Sequence, residues 1–414
     1  MNSTKETPIA SKLLVFLPGL LVAATGVGAG DLATASFTGS QLGVAVLWAV
    51  AVGGLFKFTL TEGLARWQLA TGSTFLEGVI EKTGPWLGWL FLPYLLLWTF
   101  FVGSALMSAS GATLHAMTGI FTSAVTGKIV FGLLASAVGL LLVSVGGFKL
   151  FEKVMMLAIG IMFVTVLVTA ALLWPGTDKV ISGLLVPVIP DLHGEGLSWT
   201  IALIGGVGGT LTILGYGYWI KESGRVSAAA LPTCRIDLAS GYIATVLFGM
   251  AMVIIGSSIK VSGSGAGLLI ALSTQLQQTL GPVGRWLFLL GAFCAIFSSL
   301  LGVWQVVPYL FADLCRLLSG NSSGGDLTRT RAYRFYLWGL ALVPVVGLWF
   351  SFKEVQKLYA IIGAGFMPLL AIGLLLMNGN KNWLGRLVNG WSTRLVLIST
   401  LGFFSCTAWL TWVG

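Results

Sequence analysis

From Leu13 to the C-terminus the chain repeats one pattern, an apolar run of about twenty residues followed by a short break rich in charged, glycine or proline residues. At ~1.5 Å rise per residue, a run of that length crosses a hydrocarbon core of about 30 Å as an α-helix. Such windows fall at 13–37, 42–65, 87–109, 127–146, 151–173, 197–219, 237–259, 284–315, 333–351, 355–377 and 393–413, so the pattern predicts eleven membrane-spanning helices. Strands of a membrane barrel would instead alternate apolar and polar residues over about ten positions. Segments such as VTVLVTAALLW alternate nothing, which excludes that class. An all-α polytopic membrane protein follows, with its termini on opposite faces.

Composition sharpens this picture. Of 414 residues, 56% are hydrophobic and 9% charged, against roughly 25% charged in soluble domains. The longest polar stretches, Pro175–Ser198 and Ser319–Arg334, are too short to bury a core of their own, so residues 1–414 are expected to form a single transmembrane domain. A net charge of +9 would point to nucleic acid in a soluble chain; here Lys and Arg concentrate on the loops that share the N-terminal side. The positive-inside bias therefore predicts a cytoplasmic N-terminus and an external C-terminus, in the inner membrane of a bacterium, with lipid as the main partner and no nucleic acid. Lys5 and Lys12 precede an apolar run that continues without a cleavage site, which predicts a first span and not a signal peptide. Cys234, Cys294, Cys315 and Cys406 show no CxxC spacing and sit in or beside apolar runs as small hydrophobes. The tryptophans, for instance Trp86, Trp89 and Trp98, are expected in interfacial belts.

Glycine marks two special places. Span 1 is interrupted by Thr25-Gly26-Val27-Gly28-Ala29-Gly30-Asp31 and span 6 by Gly205-Gly206-Val207-Gly208-Gly209-Thr210. Unwound backbone at mid-membrane persists only where it lines a site, and breaks at the first and sixth of eleven spans are what a five-plus-five inverted repeat gives. The repeats are expected at about 13–173 and 197–377, with an extra helix at about 393–413.

A charge at membrane depth costs several kcal/mol unless paired or solvated, so Asp31, Lys57 and Glu62 are functional candidates. Asp31 follows the first glycine break and is expected as a cation ligand, or else as the N-cap of a half-helix. Lys57 is a fixed counter-charge to Asp31, a titrating group or a snorkelling lysine. Glu62 precedes Arg66 by four residues, the spacing of a structural ion pair, and otherwise compensates charge with Lys57. His115 and His193 fall in loops, so no intramembrane histidine relays protons. No HExxH, P-loop or nucleophile motif is present in usable form, so neither an enzyme nor a cofactor-bearing protein is expected.

The order of LPGLLVAATGVGAGDLATASFTGSQLG, LARWQLATG, FEKVMMLAIG, ISGLLVPVIPD, GEGLSWTIALIGGVGGT, FCAIFSSLLG and NGNKNWLGRLVNGW resembles the Nramp family of divalent metal transporters over nearly the whole chain. The resemblance implies a LeuT-type (APC superfamily) fold, alternating access, and a metal site between the breaks of helices 1 and 6. It departs where that family keeps its chemistry. Gly28-Ala29-Gly30-Asp31 stands where the family has DPGN, and Thr212-Ile213-Leu214, within one residue, where it has MPH. The soft thioether ligand is absent, which leaves an oxygen set suited to a hard ion such as Mg²⁺ or Mn²⁺. The expected substrate site comprises Asp31, Thr34, Gly28, Gly30, Gly208, Gly209 and Thr212, with Asp31 and Thr212 touching metal and Lys57 standing in for a coupling ion. A secondary-active carrier of divalent cations, acting as a monomer, is the leading expectation. The alternative is a cation-coupled symporter of a small organic solute such as an amino acid.

Overall fold

The computed structural model describes residues 28–145, 149–260, 265–320 and 326–413, and every regular element among them is helical. Nine helices among the described residues are long and apolar enough to cross a membrane, and the bent pair Ile159–Leu172 and Thr177–Leu185, turned by 114°, makes a tenth. These ten cover the predicted spans 2 to 11. Most of span 1 lies outside the described residues. Its described end is a wide turn, Ala29–Thr34, that runs into α1 (Ala35–Leu42).

The chain reverses at Gly43 (φ 66°), a conformation that costs little without a Cβ, and enters α2 (Leu47–Thr71). A short helix, α3 (Phe75–Thr83), follows, started by a reciprocal cap in which Glu77 N–H donates to Thr74 Oγ1 and Thr74 N–H to the Glu77 carboxylate. Then come α4 (Trp86–Thr118), α5 (Ala124–Val145), α6 (Lys149–Leu172) and α7 (Thr177–Leu185). The sixth span is split into α8 (Gly196–Gly206) and α9 (Gly215–Glu222), and α10 (Leu231–Ser257) follows. The remaining helices are α11 (Leu268–Leu318), α12 (Arg331–Leu342), α13 (Phe352–Ala364), α14 (Phe366–Met377) and α15 (Trp391–Val413).

Three local expectations are corrected. Helix α11 begins well before the predicted residue 284, and its first arm ends at Gly281 (φ 73°), followed by Pro282. That arm carries Gln275, Gln277 and Gln278, so an apolar window passes over it. His115, expected in a loop, lies buried in the last turn of α4. Trp98 is no belt residue: it is wholly buried, whereas Trp86 and Trp89 are about 60% exposed as a belt requires.

Small residues bring the backbones together around the split span. A Cβ on Gly39 of α1 would run into the Val253 carbonyl of α10, and one on Gly256 of α10 into the Ser36 carbonyl of α1, a reciprocal contact that only small residues permit. Gly205 of α8 packs in the same way on the Ala360 carbonyl of α13, and Gly53 of α2 comes close to Ile204 of α8. The turn at Gly30 abuts the Gly206 carbonyl. The two breaks are therefore pressed against one another, with α2 and α13 packed on α8 and with α10 and α13 packed on the turn before α1.

Gly39→Ala is expected to lower stability by about 1–3 kcal/mol, because the added methyl meets backbone that cannot swing aside. Gly402→Ala on α15, where the methyl enters open space, should be neutral or slightly stabilising. Thermal unfolding of both variants in detergent checks this, and equal midpoints would refute it.

Candidate cation site at the break of the sixth span

Helix α8 stops because the backbone after Gly206 leaves helical space. Gly208 (φ 70°) and Gly209 (φ 82°) adopt two successive left-handed conformations that side-chain-bearing residues rarely accept. A single tight turn, Leu211–Leu214, then leads into α9. The stop strands the last carbonyls of α8 with no partner in the helix, at the negative end of its dipole and at membrane depth. Unsatisfied carbonyls there cost several kcal/mol.

Lys57 of α2 satisfies them. Its ammonium donates to the carbonyls of Gly205 (2.5 Å), Val207 and Gly209, so three N–H groups meet three acceptors, and the residue is wholly buried. Asp31 reaches the same stretch from the turn before α1. Both its carboxylate oxygens accept from the Gly208 N–H at 3.3 Å, and it too is wholly buried. The peptide unit joining Val207 to Gly208 is thus held at both ends, its C=O by an ammonium and its N–H by a carboxylate. Among the described residues no ion pair joins Lys57 to Asp31 directly; one peptide lies between them. The two charges balance, which is the condition under which buried ions are tolerated.

The surroundings fit this arrangement. Gly249 of α10 lies close to Asp31 and packs on Val50 of α2, where a Cβ would come within 3.1 Å of the valine methyl. Tyr242 of α10 closes over Gly208, where a Cβ would come within 2.7 Å of its ring, and its hydroxyl exchanges a 2.8 Å hydrogen bond with Thr61, one turn beyond Lys57.

The predicted site residues separate into two sets. Asp31, Gly208, Gly209 and Lys57 come together as described, and Gly30 abuts Gly206. Thr34 is buried with its Cβ beside Gly206, Thr212 is buried in the turn after the break, and Gly28 faces Ser299 of α11. Glu62 lies elsewhere, in a cluster with Arg66 (2.7 Å) and Arg235 (2.8 Å), the ion pair that its spacing predicts. Among the described residues no group of three or more His, Cys, Asp or Glu is placed to hold a metal ion. Asp31 brings one carboxylate, and the Gly209 carbonyl expected for the ion carries Lys57 instead. The partner carbonyls of Gly205 and Val207 escaped the sequence analysis, because a carbonyl has no residue signature.

The two ends of the split span differ. At one end Glu195, just before α8, accepts from Trp199 Nε1 (3.1 Å) and pairs with Lys353 and Lys357 of α13 (3.2 Å each), whose ammoniums also stand 5.6 Å from the Trp199 ring. The Trp199 hydrogen bond, then the two lysines, hold the Glu195 carboxyl down at about 2. Its folded value lies below its ordinary one, so this clasp is fully made above the ordinary glutamate range and is lost only as pH falls towards 2. Phe37 of α1 seals the layer beneath, against Trp199 (5.8 Å) and Phe352 (5.6 Å). At the other end a cavity of about 780 Å³ opens between α9, α11 and α12, lined among others by Tyr218, Trp219, Gln305, Tyr309, Tyr333 and Arg334. Tyr218 of α9 is tied there to Asp313 (2.7 Å), which pairs with Arg316 and through it with Glu77.

Comparison with known proteins agrees with this architecture. The profile described as Natural resistance-associated macrophage protein-like matches residues 19–413. An uncharacterized protein of Pasteurella multocida is 23% identical over 349 residues, covering 80% of this chain and 78% of its own length. Among solved structures, a manganese transporter of Eremococcus coleocola superposes with a TM-score of 0.66 at 18% identity, covering 98% of this chain and 88% of that one. MhsT in complex with L-phenylalanine superposes with a TM-score of 0.64 at 18% identity, covering 98% of both chains. At these identities the structural likeness establishes the fold.

Asp31→Asn keeps an acceptor for Gly208 but strands the Lys57 charge, and Lys57→Met strands the Asp31 charge. Each is expected to cost about 3–5 kcal/mol, whereas the double variant should cost less than the two combined by about 1–3 kcal/mol. A double-mutant cycle on thermal or denaturant unfolding measures this coupling, and strictly additive losses would rule it out.

Proposed function

The chain belongs to the Nramp family, and we propose that it is a secondary-active transporter of divalent metal ions that works by alternating access around the broken sixth span. The observation that carries this reading is the meeting, at membrane depth, of a buried carboxylate with backbone freed by a broken helix, in a split span that is clasped at one end and borders a cavity at the other. Broken helices in transporters place main-chain groups where substrates bind, and the sealed and open faces correspond to one half of a transport cycle. With the N-terminus cytoplasmic, as the distribution of Lys and Arg favours, the Glu195 clasp lies outside and the cavity faces the cytoplasm. The sharing of a family and fold with a manganese transporter supports the ion class. The donor set favours a hard ion, Mg²⁺ or Mn²⁺, held by Asp31 and carbonyls, since neither thioether nor imidazole stands at the break.

Lys57 changes how such an ion enters. A divalent cation that uses the Gly209 carbonyl must displace the ammonium, which otherwise repels it. Arrival of the ion and release of Lys57 are then one exchange, and the lysine does the charge compensation that a co-transported proton would do. Transport is accordingly expected to be weakly coupled to protons or uncoupled.

Proteoliposomes loaded with a metal-sensitive dye test this reading. Mn²⁺ or Mg²⁺ should enter, L-amino acids should not, and a pH dye should report little proton movement. Asp31→Asn should cut ion uptake by about tenfold or more, the loss expected when one interaction worth ~1.4 kcal/mol or more is removed. Uptake of amino acids with no metal flux, or full metal uptake by Asp31→Asn, would overturn it.

Alternating access also predicts the behaviour of the clasp. Glu195→Gln removes both ion pairs to α13, so a cysteine placed at Phe37, sealed in the native chain, should be labelled several-fold faster by a membrane-impermeant thiol reagent applied from the Glu195 side. An unchanged labelling rate would mean that Glu195 does not hold this face shut.

A further inference from the structure

The carbonyls of Gly205, Val207 and Gly209 form a concave set of three neutral oxygens turned to one point, and that point is occupied by a group belonging to the protein. We infer that this is a monovalent-cation site, filled in the native chain by the tethered ammonium of Lys57, which takes a free ammonium or potassium ion once the tether is removed. The inference does not depend on which substrate the protein carries.

Three observations support it. First, the oxygens come from the C-terminal end of α8 and the glycine-rich link after it, where the helix dipole and the unpaired carbonyls favour positive charge whether or not it is covalently attached. Second, the charge count admits one positive charge. Asp31 is the acid that meets this stretch of backbone, and it balances a single cation across the Val207–Gly208 peptide. Third, the oxygens are all neutral carbonyls. Three of them by themselves suit a weakly hydrated monocation, whereas a divalent ion needs the Asp31 carboxylate as well. The geometry is fixed by packing that does not involve Lys57, because Gly205 rests on the Ala360 carbonyl and Gly206 on the turn at Gly30. The cage is therefore expected to outlast the loss of the lysine side chain.

The consequence is a transporter that carries its own monovalent ion. The native chain should be indifferent to the alkali salt in solution, whereas a chain without the tether should need one.

The test compares wild type with Lys57→Ala and Lys57→Ser, purified in detergent, by thermal unfolding followed through tryptophan fluorescence. Chloride salts of ammonium, methylammonium, potassium, sodium and N-methylglucamine are used at equal ionic strength. N-methylglucamine, too large for the cage, sets the baseline. Both variants are expected to unfold about 2–4 °C higher in ammonium or potassium than in N-methylglucamine, with saturation as the ion is titrated. Wild type should show no such difference, and adding Asp31→Asn to Lys57→Ala should abolish the response. Should a variant fall apart in N-methylglucamine, the same comparison is read as monodisperse yield on size-exclusion chromatography after solubilisation in each salt. Identical midpoints or yields in all salts, or an equal shift in wild type, would overturn the site.

Discussion

A helix that breaks in the middle of a membrane leaves amide and carbonyl groups that neither water nor lipid can satisfy. In this protein two side chains answer that need from opposite chemical directions. Lys57 takes the carbonyls and Asp31 takes an N–H, and one peptide, Val207–Gly208, lies between them. The glycines that break the helix and the ions that stabilise the break thus form a single device. Without the glycines no carbonyls would be free to receive an ammonium; without the ammonium the glycine-broken backbone would carry its full desolvation cost.

The rest of the fold serves this centre. Small residues on α1, α8, α10 and α13 let the two breaks approach to backbone contact. Two charge clusters tie the ends of the split span to its neighbours. Glu195 and its lysines clasp α8 to α13 at one face, while Arg316, Asp313 and Glu77 bind α11, α3 and, through Tyr218, α9 at the other. The first half of the split span is therefore clasped at its outer end by Glu195 and held at its inner end by Lys57 and Asp31, while the second half is tied through Tyr218 to Asp313.

Much of this was legible in the sequence, and the part that was not has a physical reason. Apolar periodicity located the spans because burying a helix in lipid leaves a composition signal about twenty residues long, and the glycine runs located the break. Asp31 and Lys57 stood out because charge is rare at that depth, and Glu62 with Arg66 because i,i+4 spacing favours an ion pair. What could not be seen was the partner of each charge. Lys57 binds carbonyls, which every residue has, so only the fold reveals which three it meets. Trp98 stands at the middle of its span and faces the core, so only Trp86 and Trp89, at the end of that span, fit a belt, and the residue type alone does not tell the two settings apart. The first arm of α11 was missed because its glutamines depress hydropathy, and Gly281 marks its end only once the chain is folded.

The departure from the family's usual metal motifs acquires a structural meaning here. Where a carrier of soft-ligand type would present a thioether and an imidazole to an ion, this chain presents main-chain carbonyls already engaged by its own ammonium, with a lone carboxylate across the peptide. On the function proposed above, binding a divalent ion is a displacement. The most direct measurement is anomalous diffraction from crystals of the wild-type protein grown with and without Mn²⁺. The account predicts a manganese peak beside Asp31 with Lys57 withdrawn from the carbonyls of Gly205, Val207 and Gly209, and without manganese the ammonium seated on all three. A manganese peak remote from Asp31, or one beside it with Lys57 still on its three carbonyls, would contradict it.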